Sequence, residues 1–264
     1  MERFLFMLMF PLLMLSCSNN ERVISPIPEN QDPLLLSVLW FQKSPEMQAM
    51  YYQCYNNATK SLAEKLKSSD NKLPKAVVMD IDETILDNSP VEATQIINKE
   101  AYSDSLWNRW TDASIAIPLP GALEFTLFAE KQGVEIFYIT NRSKETAFNS
   151  TISNLLEMGF PFADSTHLMT KTTTSSKEER RKKVASDHEI LLYIGDNMGD
   201  FDAVFDDRTT DLGFGAVKQN ISKFGDSFII LPNPMYGPWV NVAIKNAPGG
   251  TTREKLLNSL NSFR

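Results

Sequence analysis

Ala76-Val77-Val78-Met79-Asp80-Ile81-Asp82-Glu83-Thr84 is the stretch from which the fold can be read. Its first four residues are apolar without alternation, and three acids follow at once. A strand with one wet face alternates polar and apolar residues, whereas a continuous apolar run suits a strand covered on both faces, as in a parallel sheet. Three more such runs lie downstream: Val134 to Thr140, Ile190 to Gly195 and Phe228 to Leu231. Helical patterns separate them at Gly121 to Gln132, Lys144 to Met158 and Lys177 to Ser186. Strand and helix in alternation predict an α/β fold, a Rossmann-like parallel sheet with a smaller helical accessory part.

In open parallel sheets, ligands bind beyond the carboxyl ends of the strands. The first run ends in Asp80, Asp82 and Thr84, the second in Thr140-Asn141-Arg142, and the third in Asp196-Asn197-Met198-Gly199-Asp200. Acids and a hydroxyl therefore converge on one edge from segments distant in sequence. Clustered acids repel unless a cation sits among them, and oxygen ligands suit a hard ion such as Mg²⁺. With the basic segment Lys177, Arg180, Arg181 nearby, the setting is one for phosphoryl transfer.

Upstream, Leu34 to Phe41 form an apolar helical patch. Ser44 and Pro45 then open a longer helix carrying Met47, Met50, Tyr51, Tyr55, Ala58, Leu62 and Leu66 at helical spacing. Cys54 shares that spacing and reads as a buried core thiol rather than a nucleophile. Phe4 to Leu15 are apolar but too short to cross a bilayer, which takes roughly 20 residues. They suit the hydrophobic part of a signal peptide. The run ends in Ser16-Cys17, which resembles the bacterial lipoprotein signal; lipidation of Cys17 and a plain secretory cut nearby both fit. The expected organisation is a signal peptide over 1–16, a flexible tether over 17–32 and one domain over 33–264. Within it the core takes about 73–90 and 119–235, and the accessory helical part about 33–70, 91–118 and the C-terminal segment.

Composition narrows the classes. Of 264 residues, 42% are hydrophobic and 22% charged, an ordinary folded chain rather than a disordered or collagenous one. The net charge of −7 argues against a nucleic acid polymer as partner, though not against a small anion. Two cysteines make no disulfide framework, and two histidines, His167 and His188, make no zinc cluster. The acids from Asp196 to Asp207 do not form a calcium loop, because Phe201 and Asp207 stand where Gly and Glu are needed.

Asp80-Ile81-Asp82-Glu83-Thr84, Thr140, Lys177 and Asp196 with Asp200 resemble the four motifs of the haloacid dehalogenase superfamily of phosphatases. Within it the chain looks like the class C, or bacterial lipoprotein e type, acid phosphatases. The likeness includes Leu39-Trp40-Phe41-Gln42, Leu119-Pro120-Gly121-Ala122 and Asn233-Pro234-Met235-Tyr236-Gly237. The resemblance implies an acid phosphatase in which Asp80 is the nucleophile and Asp82 the general acid and base. It implies Mg²⁺ held by Asp80, the Asp82 carbonyl and Asp196, with Asp200 one layer back, orienting water on the ion; a simple turn cap is its alternative role. Thr140 and the Asn141 amide would hold phosphoryl oxygens. Lys177 would neutralise their charge, unless it belongs to a solvated helix face and Lys171 takes that place. Arg142 would either reach phosphate or serve as an ion-pair partner.

Trp107 and Tyr236 match positions where the resembled enzymes stack a nucleotide base, core packing being the alternative for both. The expected substrates are small phosphomonoesters, nucleoside 5′-monophosphates including nicotinamide mononucleotide. The resemblance also implies a homodimer, and the lipid anchor an outer-membrane or periplasmic-side location on a bacterial membrane. Two other readings use the same residues: phosphoryl transfer to an alcohol, and a surface lipoprotein that binds nucleotides or a partner without turnover.

Overall fold

The sheet has five parallel strands in the order β3-β2-β1-β4-β5, comprising β1 (Lys75–Met79), β2 (Glu135–Ser143), β3 (Leu168–Lys171), β4 (Glu189–Gly195) and β5 (Phe228–Ile230). This computed structural model describes residues 34–263. The expected signal peptide, Cys17 and the tether lie outside the described residues.

Four strands match the apolar runs, and β3 is an addition. Its sequence, Leu168-Met169-Thr170-Lys171, carries no continuous apolar signal because it lies at the sheet edge and pairs only with β2. Lys75 to Met79 explain the parallel arrangement. Val77 and Met79 pack into one hydrophobic cluster, with Tyr51, Tyr55 and Leu62 on one helix and Phe125 and Ala129 on another. Ala76 and Val78 point to the other face, against Phe137, Ile139 and Val184. Both faces are covered, and each buried Val, Ile or Phe contributes about 1.5–3 kcal/mol.

Ten α-helices surround the sheet among the described residues. They are α1 (Leu35–Lys43), α2 (Pro45–Ser68), α3 (Ser89–Asn98), α4 (Asp104–Ala113), α5 (Ala122–Lys131), α6 (Lys144–Glu157), α7 (Glu178–Ala185), α8 (Phe214–Gln219), α9 (Pro238–Ile244) and α10 (Thr252–Asn258). The start of α2 is as the sequence predicts: the Ser44 hydroxyl accepts from the Met47 amide at 3.1 Å, and Pro45 takes the first turn. Cys54 is half-buried rather than fully buried; its thiol donates to the Ile230 carbonyl at 3.3 Å, and burial pushes its pKa up. It is an inert thiol at the edge of the core.

β1 is the switch point of the sheet. The chain moves outward through β2 and β3 on one side, then crosses to β4 and β5 on the other. At such a point the loops after neighbouring strands part and leave a crevice. The loops flanking it here begin at Asp80 and Asp196.

Candidate active site

Two strand ends and the turn after β4 place the acids. The Asp80 amide donates to the Ile194 carbonyl at 2.9 Å, tying the end of β1 to β4. Gly195 then allows the next turn to fold back. A Cβ there would meet the Asp200 Cβ at 2.5 Å, so the close approach of Asp200 requires glycine. The Asp200 carboxylate accepts from the Asn197 amide at 2.9 Å, fixing the loop. One oxygen from each of Asp80, Asp196 and Asp200 lies within 4.8 Å of the others.

Three carboxylates this close cannot all stay ionised in isolation. Burial, followed by the charges of Asp200 and Asp82, pushes the Asp80 pKa up to about 7 against the opposing pull of Lys177. Asp196 moves the same way, through burial and then through Asp200 and Asp80. The donor set is all oxygen, with no nitrogen or sulfur ligand, and it fits a hard divalent cation.

Lys177 is the lysine at these acids. It is 6% exposed, and its Nζ bridges Asp80 and Asp200, the latter at 2.6 Å. Burial disfavours its charge, but the two carboxylates outweigh that and push its pKa up. Lys171 pairs as backbone in β3 and is not among the residues lining the cavity. The basic run is therefore no uniform solvated face. Arg181 is also buried and donates to the Gly199 carbonyl at 2.6 Å, while Lys182 is exposed. Arg180 donates to the Thr140 carbonyl at 2.6 Å and the Asn141 side chain at 2.8 Å.

Asp82 faces a separate set of partners. Its carboxylate accepts from Arg142 Nε at 2.9 Å, Asn88 Nδ2 at 2.9 Å and the Thr140 hydroxyl at 3.1 Å. Arg142 is 1% exposed and also donates to Thr151 and Asn88, with its guanidinium 5.8 Å from the Trp107 ring centroid. Arg142 thus makes an ion pair with Asp82 and also lines the cavity. Thr140 spends its hydroxyl on Asp82 and lies outside the cavity lining, whereas Asn141 is exposed and lines the cavity.

That cavity measures about 900 Å³. Asp80, Asp82, Lys177, Asp196 and Asp200 reach it together with Trp107 and Tyr236. The Tyr236 hydroxyl donates to the buried Glu83 carboxylate, so the loop carrying Tyr236 is fastened to the loop of Asp82. Two tyrosines one helical turn apart on α2 hold that loop from behind. Tyr51 donates to the Glu83 carbonyl at 2.5 Å and Tyr55 to the Thr84 carbonyl at 2.7 Å.

The contacts of two asparagines could not be read from the sequence, although Asn233 stands in one of the stretches that carry the resemblance. Asn88 joins Asp82, Arg142 and the Trp110 indole, and Asn233 donates to Asp196 at 2.9 Å. The partners of both are set by tertiary structure. Thr84, whose hydroxyl lies 3.5 Å from both Asp80 and Asp196, was visible only as part of the acidic run.

Residues 17–239 match the family model of the HAD superfamily, subfamily IIIB (acid phosphatase). The structure is similar to that of a class C acid phosphatase from Bacillus anthracis with tungstate bound. The two share 35% identity and a TM-score of 0.82 over 88% of this chain and 98% of that one. A second structure of a class C acid phosphatase from Bacillus anthracis gives 35% identity and a TM-score of 0.80 over the same shares. Acid phosphatase 1 of Solanum lycopersicum is 30% identical over 83 residues, which span 31% of this chain and 32% of the tomato protein.

Proposed function

Because this chain belongs to the subfamily IIIB acid phosphatases of the HAD superfamily, a family of phosphomonoester hydrolases, we propose that its substrates are nucleoside 5′-monophosphates, nicotinamide mononucleotide among them. The observation that carries this reading is the union in one cavity of an acid cluster with a lysine and two aromatic walls. The acids Asp80, Asp196 and Asp200 with Lys177 suit the phosphoryl group. Some 900 Å³ is far more than phosphate needs, and Trp107 and Tyr236 suit a planar ring.

In the reaction proposed, an Asp80 oxygen bonds to phosphorus as the bond from phosphorus to the ester oxygen breaks. Asp82 gives that oxygen a proton. Water then attacks the aspartyl phosphate, Asp82 takes the proton from the water, and Asp80 is freed with inorganic phosphate. Arg142, Asn88 and Thr140 orient the Asp82 carboxyl, and Lys177 stands where negative charge gathers during transfer. A divalent ion, Mg²⁺ in this reading, would be held by Asp80, Asp196 and the Asp82 carbonyl with Asp200 behind, and supplies charge neutralisation on the phosphoryl oxygens.

Purified protein is expected to release phosphate from AMP and from nicotinamide mononucleotide with Mg²⁺ at acidic pH. EDTA should abolish the release, and added Mg²⁺ should restore it. Turnover of p-nitrophenyl phosphate without turnover of either nucleotide would refute the substrate class; turnover untouched by EDTA would refute the ion.

Membrane attachment through lipid on Cys17 belongs to the same reading, supported by the apolar run from Phe4 to Leu15 and by Ser16-Cys17 at its end. Cys17→Ser is expected to abolish incorporation of labelled palmitate and to release the protein from the bacterial membrane fraction. Incorporation that survives the substitution removes the anchor.

A further inference from the structure

The ladder between β2 and β3 breaks beside the site. Ile139 pairs with Met169, but the next registered pair is Ser143 with Lys171, so Thr140, Asn141 and Arg142 leave that ladder. One side chain spans the break. From the first turn of α7, Arg180 Nη1 donates to the Thr140 carbonyl on β2 at 2.6 Å and to the Met169 carbonyl on β3 at 3.3 Å. Its Nη2 donates to the Asn141 side-chain oxygen at 2.8 Å and to the Ser176 carbonyl at 3.1 Å. All four acceptors are neutral amide oxygens. No carboxylate is in ion-pair contact with Arg180 among the described residues. Arg180 is half-buried and does not line the cavity, so it acts on the site through the groups it holds.

Two of those acceptors belong to peptide groups that lead directly into residues of the site. A peptide unit is planar and trans, so fixing the Thr140 carbonyl fixes the direction of the Asn141 N–H, which points the opposite way. Fixing the Ser176 carbonyl does the same for the peptide that leads into Lys177. A charged donor on a carbonyl also polarises its peptide, and a polarised N–H is a stronger donor. Asn141 lines the cavity, and Lys177 bridges Asp80 and Asp200.

We propose that Arg180 is a positioning residue for phosphoryl transfer. It holds the peptide between Thr140 and Asn141 so that the Asn141 amide donates to a phosphoryl oxygen, and it ties that peptide to the start of α7, where Lys177 stands. This rests on the reading that the phosphoryl group lies between Asn141 and Lys177, and adds the residue that sets their geometry. Lysine in its place would supply the charge but not the planar fork that reaches acceptors on three segments at once.

The test follows the Asn141 amide and turnover together in wild type, Arg180→Ala and Arg180→Lys, with Mg²⁺ present. In wild type the Asn141 N–H signal is expected to move downfield in proton–nitrogen correlation spectra when inorganic phosphate is added as the probe. In Arg180→Ala that shift is expected to shrink at least about twofold, and kcat for p-nitrophenyl phosphate to fall at least about tenfold, a part of what is lost when a whole donor of this kind is removed. Guanidinium ion should restore part of that turnover where sodium chloride at the same concentration does not. Arg180→Lys is expected to lie between wild type and Arg180→Ala, and it carries the test alone if Arg180→Ala does not fold. Variants that match wild type in both readouts overturn the proposal, as does turnover that falls while the Asn141 shift stays unchanged. Arg180→Lys alone matching wild type would leave charge as the cause and overturn the fork. Wild-type enzyme that cleaves p-nitrophenyl phosphate but shows no Asn141 response to phosphate sinks the Asn141 contact first, so the two failures are distinguishable.

Discussion

Asp80→Asn is expected to lower phosphate release at least about 10⁴-fold while the protein stays folded, the scale seen when a catalytic nucleophile is removed. The substitution changes one atom in a buried position, 7% exposed, and preserves shape. It also removes one negative charge from a group of three whose oxygens lie within 4.8 Å of one another, with one lysine among them. In metal-free protein that relieves repulsion, because buried like charges are paired only in part by Lys177. The variant is therefore expected to melt no lower than wild type in EDTA, and to gain less than wild type when Mg²⁺ is added, since a ligand charge is gone. Activity down with stability held would place Asp80 in the chemistry rather than in the fold. A variant that turns over within tenfold of wild type moves the covalent step away from Asp80. One that unfolds makes the residue structural.

The parts of this site that could be read from sequence are those where strand ends carry their chemistry with them. Asp80, Asp82, Asp196 and Asp200 follow apolar runs directly, so the rule for parallel sheets places them on one edge before any coordinates are known. β3 escaped the same reading because an edge strand covered on fewer sides needs fewer apolar residues, and Leu168-Met169-Thr170-Lys171 runs into a polar Thr172-Thr173-Thr174 tail. Arg142 was legible as a charge near the site, but its ion pair with Asp82 was not. That pairing is fixed by Asn88, 54 residues away in sequence, and by Thr151 on α6, which also accept from the guanidinium nitrogens. Sequence patterns report periodicity and local chemistry; they do not report where a single polar side chain finds its partner in three dimensions.

Lys177→Met is expected to impair both chemistry and stability, and the way Mg²⁺ alters the second effect identifies the cause. The side chain is 6% exposed and its ammonium contacts both Asp80 and Asp200. Methionine fills a similar volume, so little packing is lost and the charge is what disappears. Removing one partner from a buried ion pair typically costs about 3–5 kcal/mol, because the remaining charge is left without compensation. Here three carboxylates are left, so metal-free Lys177→Met should melt well below wild type. A divalent cation binds better where the charge is more negative, and it replaces part of the lost compensation. Mg²⁺ is therefore expected to raise the melting temperature of the variant more than that of wild type. Turnover should nonetheless stay down roughly 10²–10³-fold with saturating Mg²⁺, the size of effect seen when one donor to the developing charge is deleted. Stability rescued by the ion and chemistry not rescued would show that Lys177 serves two purposes at one position. A variant that melts like wild type and keeps its turnover would take Lys177 out of the chemistry and leave the positive charge to Arg142 or Arg208, which also line the cavity.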